Sequence, residues 1–375
     1  MKSVLVSLVG DQTVPNVFLI LDDAFRGVDE YLFLTTPLME ERERLPHILR
    51  ATGLPEGRCR VLQVAADELS DIYGKLDALR LPGEGVRYYV NLTSGTKLMS
   101  IALFDYFARG AYASCSSIFY IPIGRNAYVQ VQKEGRPLIR ELTYRISVWE
   151  YLASYGIELA EARKRPYQPS GYSLALMPKM QALRTEPAFA KALHGLRQAY
   201  NRNRDKGEAM SLEIGPELSA LLEQLDYPLG DKASLSAADA RYLTGGWLEE
   251  WAYHKVQSAL SLPDSALALN ALVTRSNRQG GQVSNECDLL FTHNNTLYVL
   301  ECKTGLGKRG SKLFDEAVYK LATLRGEFGQ RVPALLLTLD GLKPSYQQRA
   351  ALHRIELLGG SGVEIGLEKY LEGLG

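Results

Sequence analysis

Over the first 140 residues, short runs rich in apolar residues, the first of them a continuous apolar run, alternate with stretches of helical periodicity. The runs fall at 3–9, 30–36, 59–64, 86–92 and 115–121. Continuous apolar runs mark strands buried on both faces. Repeated strand–helix units predict a doubly wound parallel sheet, with ligands bound beyond the carboxyl ends of its strands. A helix is expected between the loop Gly10–Asn16 and about Phe25, Pro37 is placed to open a second, and others should cover Asp67–Leu79 and follow Lys97. Runs at 127–132 and 137–144, with Gly135 between them, read as further strands that close this domain or begin a connector.

Helical periodicity dominates the middle, with an amphipathic helix at 147–156 ended by Gly156 and further helical stretches at 187–200 and 216–225. Arg197, Arg202, Arg204 and Lys206 surround Tyr200. Such a cluster can track a nucleic-acid backbone, but a solvated helix end is the preferred account. Farther on, Thr244 is expected to cap a helix whose apolar face holds Leu248, Trp251, Ala252, Val256, Ala259 and Leu260. Glu249 lies near the edge of that face and Glu250 almost opposite it. Strands are expected at 265–274 and 332–339.

Between these strands lies NECDLLFTHNNTLYVLECKT, residues 285–304. Two apolar runs flank Asn294-Asn295, which predicts a β-hairpin. A symmetric turn there puts Asp288 directly opposite Glu301, with Cβ atoms roughly 5 Å apart. Lys303 points to the same face. Like charges paired in an apolar sheet are destabilising, and a hard divalent cation between them, Mg²⁺ or Mn²⁺, removes the conflict. A lysine beside it can orient water or stabilise charge on a reacting phosphorus. The blander account is a charged strand end at the sheet margin. The glycine-rich loop 305–312 follows at once, and its Lys308, Arg309 and Lys312 are candidates to clamp a phosphodiester. In the helix expected at 313–328, Leu313, Ala317, Leu321 and Leu324 should face the core, while Lys320 and Arg325 leave it. Tyr319 and Lys320 are further candidates for substrate contact.

Composition narrows the classes. Lys+Arg and Asp+Glu are both 43, so there is no net basic field, and nucleic-acid binding must rest on local patches. The 4 cysteines lack Cys-x-x-Cys spacing and read as reduced thiols of a cytoplasmic protein. The 5 histidines are dispersed, which argues against zinc. No apolar run is long enough to predict a membrane span.

The turn after the fourth strand, Asn91-Leu92-Thr93-Ser94-Gly95-Thr96-Lys97, leads into an apolar helix. Thr93 or Ser94 can cap that helix. Gly95 lets a ligand approach the backbone, and the helix start together with Lys97 favours an anion. The turn is neither a Walker loop nor Gly-x-Gly-x-x-Gly, and a well-capped helix accounts for it nearly as well.

This Asn-Leu-Thr-Ser-Gly-Thr-Lys turn resembles the signature of CARF domains, the Rossmann-like sensors of CRISPR systems. Asp288 with Glu301-x-Lys303 resembles the PD-(D/E)xK nuclease signature, although Cys287 stands where that pattern has proline. Together they resemble the CARF–PD-(D/E)xK nucleases of type III CRISPR defence, at both ends of the chain and in overall length. The resemblance implies an α/β protein with a CARF domain over residues 1–145, a helical connector over 146–240 and a restriction-endonuclease-like α/β domain over 241–375. It implies a homodimer activated by a cyclic oligoadenylate, most often cyclic tetra-adenylate, held by Asn91, Thr93, Ser94, Gly95, Thr96 and Lys97. Gly10, Asp11, Gln12, Asn16, Thr35, Thr36 and Met39 join this set less securely. It further implies Mn²⁺ or Mg²⁺ on Asp288 and Glu301, with Glu249 as an added ligand, and single-stranded RNA and DNA as substrates. Two rival expectations stand beside it. One is a ligand-independent restriction- or repair-type DNA nuclease, the other a non-enzymatic, ligand-gated DNA-binding regulator.

Overall fold

The computed structural model describes residues 1–131, 135–163, 165–206, 210–230, 232–276, 281–305 and 310–374. Strands β1 (Lys2–Leu8), β2 (Glu30–Thr35), β3 (Cys59–Gln63), β4 (Val86–Asn91) and β5 (Ser116–Tyr120) run parallel. The pair β6 (Ala127–Val131) and β7 (Leu138–Glu141) adds antiparallel, giving the order β3-β2-β1-β4-β5-β6-β7. Helices α1 (Val14–Leu21), α2 (Pro37–Glu41), α3 (Arg44–Thr52), α4 (Leu69–Ala78) and α5 (Lys97–Ala108) complete this unit. Successive side chains of central β1 serve two cores, as strand alternation requires. Leu5 packs with Val17 of α1 and Ile48 of α3, while Val4, Val6 and Leu8 pack with Ile72 of α4 and Leu103 of α5. Helix α1 stops short of Phe25 because the buried Asp22 turns its carboxylate to other donors: Oδ1 accepts from Ala24 N at 3.0 Å and Oδ2 from Thr143 N at 2.6 Å.

The chain continues through α6 (Val148–Ser154), β8 (Glu158–Arg163), α7 (Ser170–Leu183), α8 (Pro187–Lys206), β9 (Ser211–Glu213), α9 (Pro216–Gln224), β10 (Ser234–Ser236), α10 (Ala237–Arg241) and α11 (Trp247–Ala259). The segment expected as a helical connector therefore also supplies strand β8, which pairs with the second sheet, and the small β9–β10 ladder. A wide π-helical turn, Tyr242–Gly246, joins α10 to α11 without a break. Thr244 consequently does not cap a helix. It sits mid-helix and its hydroxyl donates to Ala240 O at 2.7 Å.

The second sheet comprises β11 (Leu267–Ser276), β12 (Gln282–His293), β13 (Thr296–Lys303), β14 (Ala334–Thr338) and β15 (Ile355–Gly359), with β8 at one edge, in the order β15-β14-β13-β12-β11-β8. Helices α12 (Gly310–Phe328), α13 (Pro344–Leu352) and α14 (Val363–Glu372) complete it. One sheet face, with Leu290, Val299 and Leu336, packs on α12 and, through α6, joins the core beneath β1. The other face, with Leu289, Leu300 and Leu335, packs on α7, α11 and α14. On α12, Phe314 takes the core position expected of Leu313, which is 39% exposed. Glu250 also departs from expectation. It is buried, and its carboxylate accepts from Arg163 Nη1 at 2.8 Å, Tyr167 N at 2.6 Å and Gln168 N at 3.0 Å, so α11 is buried almost all round at this level.

The turn of the hairpin β12–β13 is docked onto the first unit. Asn295 Oδ1 accepts from Ile146 N at 2.9 Å, and its Nδ2 donates to Asn126 Oδ1 at 2.7 Å and to Tyr144 O at 2.8 Å. Thr292 adds a hydroxyl bond to Ile146 O at 2.7 Å. Asn295 has φ +61°, which glycine tolerates equally well. Asn295→Gly therefore keeps the turn and removes only the side-chain bonds. At about 1 kcal/mol per bond, urea denaturation should show a loss of ~2–3 kcal/mol.

Candidate active site

Asn294 and Asn295 both have positive φ, +45° and +61°, the type I′ geometry that matches the twist of a tight hairpin. The ladder runs His293↔Thr296, Thr292↔Leu297, Phe291↔Tyr298, Leu290↔Val299 and Leu289↔Leu300, the register expected from the sequence. It ends one step short of Asp288 and Glu301. There Asp288 Oδ2 accepts the N–H of Cys302 at 2.7 Å. Both carboxylates are buried, Asp288 at 8% and Glu301 at 2% exposure, on the sheet face covered by α12.

Two ammonium groups enclose Glu301. Lys303 Nζ lies 2.6 Å from its Oε1 and Lys320 Nζ, on α12, 2.7 Å from its Oε2. Lys303 Nζ is also 4.0 Å from Asp288 Oδ2. Burial, followed by the nearby charges of Glu301 and Glu249, pushes the Asp288 carboxyl up to about 8, with Lys303 and Lys320 pulling the other way. Burial lowers the Lys303 ammonium, but Glu301 and Asp288 more than offset it and hold the group above its usual value. Burial likewise pushes the thiol of Cys287 up to about 12 and that of Cys302 well above the ordinary range. Neither is poised as a thiolate ligand.

Glu249 stands at the margin of this group. Its Oε2 accepts from Asn270 Nδ2 and lies 3.6 Å from Arg241 Nη2. Asn270, at φ +49°, sits at a bulge in β11. A lone asparagine inside the run Leu267–Val273 is the sequence signal for that bulge. Among the described residues no three His, Cys, Asp or Glu side chains form a cluster able to hold a metal.

Of the other substrate candidates, Lys308 and Arg309 lie outside the described residues. Lys312 is exposed, 3.8 Å from Glu316. Tyr319 points away from the carboxylates, 55% exposed and edge-on to His353 at 5.5 Å. Lys320 instead turns inward to Glu301. Arg197 of α8, grouped above with a solvated helix end, donates to Thr244 O at 2.7 Å and Thr304 Oγ1 at 3.1 Å, just beyond Lys303.

At the carboxyl ends of β1, β2 and β4 the predicted ligand residues divide into framework and surface. Asn16 and Asn91 are buried and meet at Ser7: the Ser7 hydroxyl donates to Asn16 Oδ1 and accepts from Asn91 Nδ2 at 2.9 Å. Asn91 Oδ1 accepts from Thr93 N at 2.9 Å, and Thr93 Oγ1 from Ile121 N at 2.7 Å. Ser94 and Gly95 both have positive φ, +75° and +66°. A Cβ on Gly10 would lie 2.4 Å from Gly95 N, so these loops pack backbone to backbone. The cap of α5 is Thr96, which accepts from Met99 N at 3.3 Å, rather than Thr93 or Ser94. Ser94 Oγ donates to Gln12 O at 2.6 Å. Thr36 caps α2, accepting from Met39 N at 3.3 Å, and Met39 is buried. Asp11 pairs with Arg42 and Arg44 at 2.6 and 3.2 Å. Lys97 and Gly95 are exposed, and the buried Thr35 Oγ1 has no partner.

A parallel sheet with polar loops at its carboxyl ends, joined to a hairpin bearing two carboxylates and a lysine, defines a sensor–hydrolase architecture. Residues 4–151 match the Card1 CARF domain and residues 236–372 the endonuclease domain of Card1-like proteins, together more than half of the chain. The chain belongs to this family of CARF-domain endonucleases. Its fold is similar to that of protein VC1899 from Vibrio cholerae (19% identity, TM-score 0.79, 99% of this chain and 98% of that one). It is also similar to Can2 from Sulfobacillus thermosulfidooxidans, solved with cyclic tetra-adenylate (20%, 0.70, 99% of each). A type III CRISPR defence DNA nuclease activated by cyclic oligoadenylate is similar too (18%, 0.55, 98% of this chain and 52% of that one). At these identities the likeness is one of fold. No curated protein sequence matches. Among the described residues no helix is long and apolar enough to cross a membrane.

Asp288 gives the site a pH signature. Its carboxyl is raised from 3.8 to about 8 in the folded chain, so between these values the native state keeps a proton that the unfolded chain has released. Stability attributable to Asp288 therefore falls as pH rises across that window and is level above it. In chelator, Asp288→Asn should raise Tm relative to the parent, with a gain that grows from pH 5 to pH 8. A gain independent of pH would contradict this assignment.

Proposed function

We propose that this protein is a metal-dependent nuclease, switched on by a cyclic oligoadenylate and cleaving single-stranded RNA and DNA in CRISPR antiviral defence. The observation that carries the reading is the meeting of Asp288, Glu301 and Lys303 on one sheet face within a Card1-like endonuclease domain. Two buried, mutually repelling carboxylates are hard oxygen donors that suit Mg²⁺ or Mn²⁺, and this donor chemistry fits such an ion. Asp288 and Glu301 would hold it, with Glu249 assisting if its bond to Asn270 opens. When bound, the ion would lower the pKa of a coordinated water to give a nucleophile. Lys303 holds Glu301 in place and keeps its charge at the site, where it can stabilise negative charge developing on the phosphate oxygens. Lys308, Arg309 and Lys312 are the cations expected to hold the flanking backbone of the substrate.

Cyclic tetra-adenylate is the favoured activator because Can2, solved in complex with it, shares the fold along nearly the whole chain. Its phosphates would meet Ser94, Gly95 and Lys97 at the start of α5, where backbone N–H groups and the lysine favour anions. The unpartnered Thr35 hydroxyl offers a further bond. Asn16, Asn91, Thr36 and Met39 act as framework beneath these groups. Gly10, Asp11, Gln12, Thr93 and Thr96 shape the loops around the ligand. A ring with repeating symmetry is suited to two such loops, one from each protomer of a homodimer.

The test is cleavage of labelled single-stranded RNA and DNA in Mn²⁺, with and without cyclic tetra-adenylate. Cleavage should require the activator and fall on the order of 100-fold or more in Glu301→Ala and Lys303→Met, as loss of a group acting on transition-state charge predicts. Cleavage regardless of activator would leave a restriction- or repair-type nuclease. Activator binding with no cleavage in any metal would favour the DNA-binding regulator.

A further inference from the structure

Lys303 and Lys320 both bind Glu301, but they differ in what holds them. Lys303 is on the same strand as Glu301, two residues on, and moves with it. Lys320 arrives on α12, an uninterrupted helix from Gly310 to Phe328. It is the one of the two that can be withdrawn by moving another element. As long as both stay, each Glu301 oxygen already holds an ammonium at 2.6 or 2.7 Å, and these two positive charges oppose a cation there.

Just past the end of α12 the chain meets Tyr155, which follows α6 and is bonded to Gln12 of the sensor. Gly329, at φ +128°, approaches Tyr155 so closely that a Cβ there would lie 2.7 Å from the phenol oxygen and 3.0 Å from Cζ. The Tyr155 hydroxyl donates to Gln12 Oε1 at 2.9 Å, and the main-chain oxygen of the same Gln12 accepts from Ser94 at 2.6 Å. Gln12 and Ser94 lie in the two loops that face the activator in the function proposed above. Lys320 lies eight residues before Phe328, the last residue of α12, about 12 Å of rigid helix. Beside this contact lies a cavity of about 590 Å³, lined by Gln12, Arg44 and Tyr155 on the sensor side and by Gly326, Gly329 and Arg354 on the other. It leaves room for the end of α12 to shift.

We propose that Lys320 is a positioning residue that withholds Glu301 from the metal in the resting protein. The contact Gln12–Tyr155–Gly329 carries occupancy of the sensor loops to α12, which then withdraws Lys320. This proposal rests on the nuclease reading above and supplies the physical link between its two sites. Coupling of this kind requires that activator and metal each bind the shifted state more tightly than the resting one.

The experiment is Mn²⁺ affinity by electron paramagnetic resonance, with and without cyclic tetra-adenylate, in the parent chain and in Lys320→Met, Lys320→Arg and Tyr155→Phe. In the parent the activator should tighten Mn²⁺ about tenfold, inside the usual span of allosteric coupling. Lys320→Met should bind Mn²⁺ that tightly without activator and gain little from it, whereas Lys320→Arg, which keeps the ion pair, should behave as the parent. Tyr155→Phe should bind cyclic tetra-adenylate unchanged in the absence of metal, yet lose the tightening of Mn²⁺. A purely structural Lys320 would lower Tm in Lys320→Met with Mn²⁺ affinity unaltered, and that result overturns the proposal. So does weaker Mn²⁺ binding in Lys320→Met, or a parent-like response in Tyr155→Phe. If the parent binds neither Mn²⁺ nor cyclic tetra-adenylate, the nuclease reading itself fails first.

Discussion

Burying one carboxylate beside another is the constraint around which this protein is arranged. An uncompensated buried charge costs several kcal/mol, and Asp288 and Glu301 lie together under α12 with almost no solvent. The surroundings answer in kind. Lys303 and Lys320 each give an ammonium to Glu301, Cys302 gives its N–H to Asp288, and the Asp288 carboxyl is driven toward its neutral form. The ladder between β12 and β13 ends at Leu289 and Leu300, just where these charges begin.

The hairpin that carries these groups is fixed at both ends to different parts of the chain. Its turn is hydrogen-bonded through Asn295 to Asn126, Tyr144 and Ile146 of the sensor side, and its open end meets α12. One hydrophobic core runs from Leu5 and Val17 through Tyr151 and Leu152 of α6 to Leu290, Val299 and Phe314. The sensor and the nuclease sheet thus share packing instead of being joined by a free linker. Close-packed interiors shift between discrete arrangements and do not deform continuously. A displacement at the loops after β1 and β4 accordingly has a packed route to the carboxylates, by way of α6 and α12.

Much of this was legible in the sequence, for definite reasons. Runs rich in apolar residues marked the parallel strands, from β1, buried along most of its length, to the edge strand β3, which is mostly exposed. The hairpin register followed from Asn294-Asn295, since few residues adopt two successive positive φ values, and it put Asp288, Glu301 and Lys303 on one face. What local pattern could not supply was the arrangement of elements against one another. Lys320 read as a residue leaving the core, yet the placement of α12 turns it onto Glu301. Glu250 read as solvent-facing from helix phase alone, but the loop before α7 folds over it. Thr244 had the chemistry of a cap, and the π-helical turn running through Tyr242–Gly246 overrode it. In the sensor, the spacing of Asn91 to Lys97 marked the right loop, but only the fold separates the buried framework asparagines from the exposed Gly95 and Lys97.

In the proposed switch the sensor loops and the carboxylate pair are thermodynamically one system. Linkage makes it reciprocal, so it can be read from the sensor side alone. The measurement is calorimetric titration of the full chain with cyclic tetra-adenylate, once in chelator and once in saturating Mn²⁺. Activator binding should be tighter in Mn²⁺, by the same factor that the activator confers on the metal. Equal affinities under both conditions would contradict it and leave the two sites independent.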